Sequence, residues 1–225
     1  MRVVCLVSGG KDSVFAFWLA LHQFKVVEIL TVRSNCSESL LYHIPNSQYV
    51  IAIAKMFGIK HKDIWISSCD INDEINSLEK ALVKSGADAV ITGGIRSDFQ
   101  RYTFNRAALQ AKMKCFSPLW RLSPKKLMSE LLDTKFNVII SSVSGMGLGK
   151  DLLGKQITYE VLDSFRKASP DSDISITGEG GEYESFVLDA PFFPSEIKII
   201  ESKIHWDEYR EEGFVEIIKI KLCSK

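Results

Sequence analysis

The sequence predicts an α/β protein: a doubly wound parallel sheet with a smaller C-terminal α+β domain. Three observations point there. Apolar, β-branched runs of strand length alternate with amphipathic helical segments from residue 2 to residue 117. The first run passes directly into a glycine-rich turn and then a helix, the entry of a parallel βαβ unit. Beyond Pro118 the pattern changes, and the last fifty residues carry three strand-like runs with no helical pattern between them.

Residues 2–7 are apolar and valine-rich, as a strand covered on both faces requires. Val14, Phe17, Trp18 and Leu21 then recur at helical spacing. Residues 26–32 read as the second strand. Pro45 and Asn46 open a helix whose apolar face holds Val50, Ile53, Ala54 and Phe57 and which Gly58 ends. Residues 63–67 make a weaker strand, and Ile75, Leu78, Leu82 and Val83 form a helix face stopped near Gly86. Residues 89–92 are a strand running into Gly93-Gly94; a helix over 97–112 and a strand at 115–117 complete the pattern. Strands separated by helices in this way build an open parallel sheet.

Ser123 and Pro124 then supply an N-cap and first helical residue ahead of Leu127, Leu131 and Leu132. Residues 138–143 form a buried-type strand, and Ile157, Val161, Leu162 and Phe165 a further helix face. Residues 184–188, 197–204 and 214–222 read as strands. In the last, Ile218, Ile220 and Leu222 alternate with Lys219 and Lys221, which predicts one buried and one solvated face. The expected domains are 1–118 and 119–225.

Lysine and arginine total 28 and so do aspartate and glutamate, which excludes the uniformly basic surface of a general nucleic-acid or membrane-surface binder. Neither a stable nucleic-acid complex nor a membrane is expected. Cys5, Cys36, Cys69, Cys115 and Cys223 are odd in number, widely spaced and without a C-x-x-C pair, which argues against a disulfide framework or zinc ribbon. No apolar run approaches membrane-spanning length, and the polar residues 8–13 interrupt any signal-peptide core. A soluble cytoplasmic protein is expected.

The sharpest motif is Ser8-Gly9-Gly10-Lys11-Asp12-Ser13, between a buried strand and an amphipathic helix. Two glycines permit positive φ and bring backbone N–H groups close to a ligand. The helix directs its unsatisfied N–H groups and positive dipole end at the same place. Lys11 adds a point charge, and Ser8 and Ser13 add hydroxyl donors. The result is a site for phosphate oxygens. It is not a Walker A loop, because Cys5 stands where a glycine is needed and Asp12 follows the lysine. Asp12 serves either to place Mg²⁺ or to cap the helix. Gly93 and Gly94 follow a strand at the carboxyl edge of the sheet, where doubly wound folds bind ligands, so backbone contact with a nucleotide is expected there.

The second outlier is Gly178-Glu-Gly-Gly-Glu-Tyr-Glu184, too rich in glycine and carboxylate for a helix or strand interior. It either presents Glu179, Glu182 and Glu184 to a cationic ligand or is a solvated acidic turn. Arg101 is suited to phosphate or carboxylate oxygens, or lies solvated on its helix. Trp120 reads as packing.

The segment 8–13 resembles the loop of the ATP-pyrophosphatase (PP-loop) superfamily, whose fold is a HUP-like nucleotide-binding domain. The run 178–193, GEGGEYESFVLDAPFF, is similar to the signature of the diphthine–ammonia ligase family within it. So are Ser39-Leu-Leu-Tyr-His-Ile-Pro-Asn46, Thr92-Gly-Gly-Ile-Arg-Ser-Asp-Phe-Gln-Arg101 and Ser117-Pro-Leu-Trp120. One departure is visible: after Pro-Leu-Trp the family usually shows Gly or His and then Arg-Asp, where this chain has Arg121-Leu122-Ser123.

The resemblance implies an amide ligase that uses ATP and Mg²⁺, releases pyrophosphate and AMP, and converts diphthine on translation elongation factor 2 to diphthamide with ammonium. It implies Lys11 and Glu182 as catalytic residues, with Glu182 holding ammonium and accepting its proton. Ser8, Gly9, Gly10, Lys11, Asp12, Ser13, Gly93 and Gly94 are the expected nucleotide site, with Asp12 as metal ligand. His43, Arg101, Glu179, Gly180, Gly181, Tyr183 and Glu184 are the expected substrate site. A homodimer through a C-terminal edge strand is a further expectation. The alternatives are adenylation of another carboxyl or of an RNA base, and a non-catalytic ATP-binding sensor. The lack of a cysteine pair weighs against RNA thiolation, and the second carboxylate cluster weighs against a sensor.

Overall fold

The computed structural model describes residues 1–34, 45–66, 70–144, 147–168 and 174–225. These fall into two compact units, Met1–Arg121 and Leu122–Lys225.

The first unit alternates strands and helices. Strand β1 (Arg2–Leu6) leads to helix α1 (Lys11–Gln23), β2 (Lys25–Ser34), a 3₁₀ turn (Ser47–Tyr49) and α2 (Val50–Met56). Then come β3 (Lys60–Ile66), α3 (Ile71–Ser85), β4 (Ala89–Ile91), α4 (Asp98–Gln110) and β5 (Lys114–Phe116). The five strands are all parallel, in the order β3-β2-β1-β4-β5. The predicted doubly wound sheet is therefore what forms. The chain builds outward from β1 to β3, then crosses back to β4, so the order reverses between β1 and β4. The carboxyl edge at that point is the ligand crevice of such sheets. Val3, Val4 and Cys5 of β1 are at most 1% exposed, the full burial that their sequence anticipates. One face packs Leu30, Ile75, Leu78, Leu82, Val90 and Ala107 together. Helix α3 starts where the Asp70 carboxylate accepts the Asn72 N–H at 2.7 Å, and it stops at Gly86 in the left-handed region.

The second unit holds α5 (Pro124–Asp133), β6 (Asn137–Ser144), a 3₁₀ turn (Lys150–Leu152), α6 (Tyr159–Ala168), β7 (Tyr183–Asp189), β8 (Ser195–Asp207) and β9 (Glu212–Ser224). Its four strands are antiparallel, in the order β7-β6-β9-β8. Two details differ from the sequence expectation. Ile157 lies ahead of α6, with its N–H on the Val138 carbonyl at 2.8 Å. In β9 the fully buried residues are Val215 and Ile217, whereas Ile218 is 46% exposed. The register shifts at Ile200 and Ile218, so each is left without a cross-strand partner and the alternation changes phase. Among the described residues no helix is long and apolar enough to cross a membrane.

Candidate active site

β1 delivers the chain to the switch point of the first sheet, flanked by β2 and β4. Gly9 turns it with φ 91, and Gly10 is extended and caps α1. Ser13 Oγ donates to the Gly10 carbonyl at 3.0 Å and accepts the Ser8 N–H at 3.1 Å. Because that hydroxyl has one proton, Ser8 must be the donor in the 3.1 Å contact between the two hydroxyls. Both serine protons, expected to face phosphate, are engaged in folding the loop. The donors the loop leaves available are then the first-turn N–H groups of α1, which lack acceptors within the helix.

The Lys11 side chain is buried and its Nζ lies 2.9 Å from Asp12 Oδ2. Asp12 Oδ1 is buried with no hydrogen-bond partner among the described residues. Burial raises the Asp12 pKa above its ordinary value, and the adjacent ammonium offsets this only in part. A buried carboxylate oxygen without a donor is costly in isolation and suited to a cation.

Two further residues hold this loop from behind. Thr31 Oγ1 donates to the Val7 carbonyl at 2.9 Å and lies 3.0 Å from His61 Nε2. With the hydroxyl proton engaged, the imidazole is the donor. Burial lowers the His61 pKa; Asp63 opposes that shift and Arg33 adds to it. Neither residue stood out in the sequence, since a threonine and a histidine 30 positions apart have no local pattern.

Gly93 packs against the same helix start: a Cβ there would lie 2.7 Å from Ser13 N and 2.8 Å from Asp12 C. Gly94 has more room, with Gln100 Oε1 at 3.8 Å from its notional Cβ. Arg101, on the exposed side of α4, places its guanidinium 4.6 Å from the Trp120 ring centroid. Burial raises the nearby Cys115 thiol to about 11, with Arg101 opposing.

In the second unit the acidic glycine loop closes on itself. The Glu182 side chain is buried, accepting the Ser175 N–H at 2.8 Å on Oε1 and the Gly180 N–H at 2.9 Å on Oε2. Tyr183 is also buried; its hydroxyl donates to the Ile176 carbonyl at 2.8 Å and its ring lies 5.4 Å from Phe165. Gly178 takes φ 72, and a Cβ there would sit 2.6 Å from the Tyr183 carbonyl. Gly181 donates to the Gly178 carbonyl at 3.1 Å. The expectation that Glu182 and Tyr183 meet substrate differs from this placement. A tight glycine turn leaves backbone groups that it cannot satisfy itself: the Glu182 carboxylate accepts two of its N–H groups and the Tyr183 hydroxyl donates to one of its carbonyls, both from inside. Glu179 and Glu184 are half-buried at the rim of the loop. His43 lies outside the described residues.

Family models match nearly the whole chain: "Diphthamide synthase N-terminal domain" over residues 1–115 and "Diphthamide synthase C-terminal domain" over 123–223. The chain is 32% identical to the diphthine–ammonia ligase of Danio rerio, an alignment covering all of this chain and 98% of that protein. It is 26% identical to the diphthine–ammonia ligase of Schizosaccharomyces pombe, with all of this chain but 40% of that longer protein aligned. Among solved structures, a predicted subunit of tRNA methyltransferase from Methanocaldococcus jannaschii aligns with 85% of this chain and 98% of its own. At a TM-score of 0.46 and 17% identity, that likeness is too slight to bear on function.

Proposed function

We infer the function from one premise: this chain belongs to the diphthamide synthase family, whose two domain models it matches. The reading is an ATP-dependent diphthine–ammonia ligase that converts diphthine on translation elongation factor 2 to diphthamide. The observation that carries the chemistry is the loop at residues 8–13, seated at the switch point with the Lys11 side chain buried in it and paired to Asp12.

A carboxylate is a poor electrophile because its leaving group would be oxide. In the first step a carboxylate oxygen of diphthine bonds to the α-phosphorus of ATP, and the bond to pyrophosphate breaks with its electron pair leaving on pyrophosphate. The N–H groups at the start of α1 hold the departing phosphates, and the Lys11 ammonium stabilises the charge that develops on them. In the second step ammonia bonds to the acyl carbon and AMP leaves. Ammonium yields one proton to become the nucleophile and the attacking nitrogen sheds another; AMP leaves as the dianion and the pyrophosphate of the first step takes up one proton, so one proton is released per amide.

Among the described residues no cluster of three or more His, Cys, Asp or Glu is placed to hold a metal. The donorless Asp12 Oδ1 is the atom that would hold a Mg²⁺ arriving with ATP, and the ion would supply charge neutralisation on the phosphates. Gly93 keeps β4 close to this helix start. The reading gives Glu182 the task of fixing the acidic loop and leaves ammonium to the half-buried Glu179 and Glu184. The free thiols of Cys5, Cys115 and Cys223 fit a reducing, cytoplasmic compartment.

The test mixes purified protein, ATP, Mg²⁺, ammonium and diphthine-bearing elongation factor 2, following AMP and the intact mass of the factor. AMP formed one-for-one with conversion of carboxylate to amide supports the reading. AMP without a mass change keeps the adenylation and rejects the acceptor. Bound ATP with no AMP rejects catalysis.

A further inference from the structure

We propose that Arg101 and Arg121 form a carboxylate clamp on the indole of Trp120, receiving the acid group of the substrate beside the nucleotide; the inference rests on the ligase reading. The Arg101 guanidinium lies 4.6 Å from the Trp120 ring centroid and that of Arg121 lies 6.0 Å from it. Both arginines are exposed, and among the described residues neither has a carboxylate partner. Two guanidinium groups gathered at one ring repel each other unless an anion joins them.

The backbone of Arg121 has φ 60, a left-handed conformation that disfavours any residue with a side chain. Its N–H is tied to the Ile95 carbonyl at 2.8 Å, which holds it there. Glycine would take this conformation freely, yet the chain carries an arginine.

The location fits the task. Ile95 and Arg101 follow β4, and Trp120 and Arg121 follow β5; β4 pairs with β1, so the cluster lies at the same carboxyl edge as the phosphate loop. The first step must bring a carboxylate against a polyanion, so the two charges repel as they approach. The phosphates have their own cation in Lys11 and their own N–H groups. The pair of planar guanidinium forks offsets the repulsion and grips both carboxylate oxygens.

Arg121→Gly tests this without straining the fold, because glycine suits the φ 60 backbone. Steady-state amidation of diphthine-bearing elongation factor 2 is measured with Arg121→Gly and Arg101→Ala, alongside ATP binding by calorimetry and thermal melting. The expected result is a KM for the elongation factor raised about tenfold or more in each variant, as loss of a charge-assisted contact implies. ATP affinity should stay within about twofold, and Arg121→Gly should melt no lower than wild type. An unchanged KM in Arg121→Gly overturns the clamp. A parallel loss of ATP affinity also overturns it, assigning the guanidinium groups to the polyphosphate. Absence of turnover in the wild type removes the ligase reading and the clamp together, whereas wild-type turnover with unchanged KM in the variants removes the clamp alone.

Discussion

Gly93 meets Ser13 backbone to backbone: a Cβ on Gly93 would lie 2.7 Å from the Ser13 amide nitrogen. The end of β4 and the first turn of α1 are thus set against each other with no room for a side chain. Gly93→Ala must push the helix start away, at a cost of about 1–3 kcal/mol. ATP affinity should fall at least about tenfold, since the N–H groups proposed to hold phosphate move with the helix. Gly94→Ala, whose nearest neighbour is a side-chain tip at 3.8 Å, displaces no backbone and should lose less ATP affinity than Gly93→Ala. Calorimetric titration of both variants checks the pair; equal affinities would mean that the helix start tolerates the shift.

Lys11 should be essential for pyrophosphate release. Lys11→Ala removes the ammonium and leaves the half-buried Asp12 carboxylate without its ion-pair partner. Pyrophosphate release under saturating ATP should fall by about 10²-fold or more, the scale for losing a group that stabilises transition-state charge. A coupled phosphate assay reads this directly, and a residual rate near wild type would place the essential cation elsewhere.

Glu182 separates loop integrity from nucleotide binding. Glu182→Ala removes the carboxylate acceptor of the Ser175 and Gly180 N–H groups, a hydrogen bond to a charged group being worth about 1.5–3 kcal/mol. Glu182→Gln offers one acceptor oxygen where two are needed. Both variants should melt lower and lose amide formation while keeping wild-type ATP affinity, and cleavage by a protease near residues 175–181 should accelerate. Full stability with lost amidation would instead return Glu182 to direct chemistry.

His61 makes stability depend on pH. Its folded pKa is lowered from 6.5, chiefly by burial, so the unfolded chain takes up a proton first as the pH falls. The stability contributed by neutral His61 is therefore present above the unfolded value and is lost as the pH drops through it towards the lower folded value. His61→Gln keeps a donor towards Thr31 and has no charge to gain. Denaturant midpoints of wild type minus variant should fall between about pH 7 and pH 5. A difference that stays flat across this window would show that His61 gains no charge on unfolding.

Much of this molecule is legible in the chain because local periodicity reports local environment. Val3, Val4 and Cys5 must be covered on both faces, and that alone points to a parallel sheet with helices on either side. The loop at residues 8–13 is readable because its elements are contiguous: strand, glycine, lysine, helix. The acidic loop is readable as an outlier for the same reason. In β9, by contrast, the plain alternation misleads, because a bulge changes the phase and no local pattern encodes a bulge opposite another strand.

The sequence by itself determined the fold class, the family and the identity of both loops, since all three rest on residue types at short spacing. Only the tertiary structure decided what the individual side chains do. Strand order sets β4 beside β1 and so brings Gly93 to Ser13, 80 residues away in the chain. The turn back to Ser175 draws the Glu182 carboxylate inward, and pairing of β2 with β3 carries His61 to Thr31. The physical reason is common to these cases: a hydrogen bond or steric contact reaches only about 3 Å, so its partner is chosen by how elements pack and not by where residues stand along the chain.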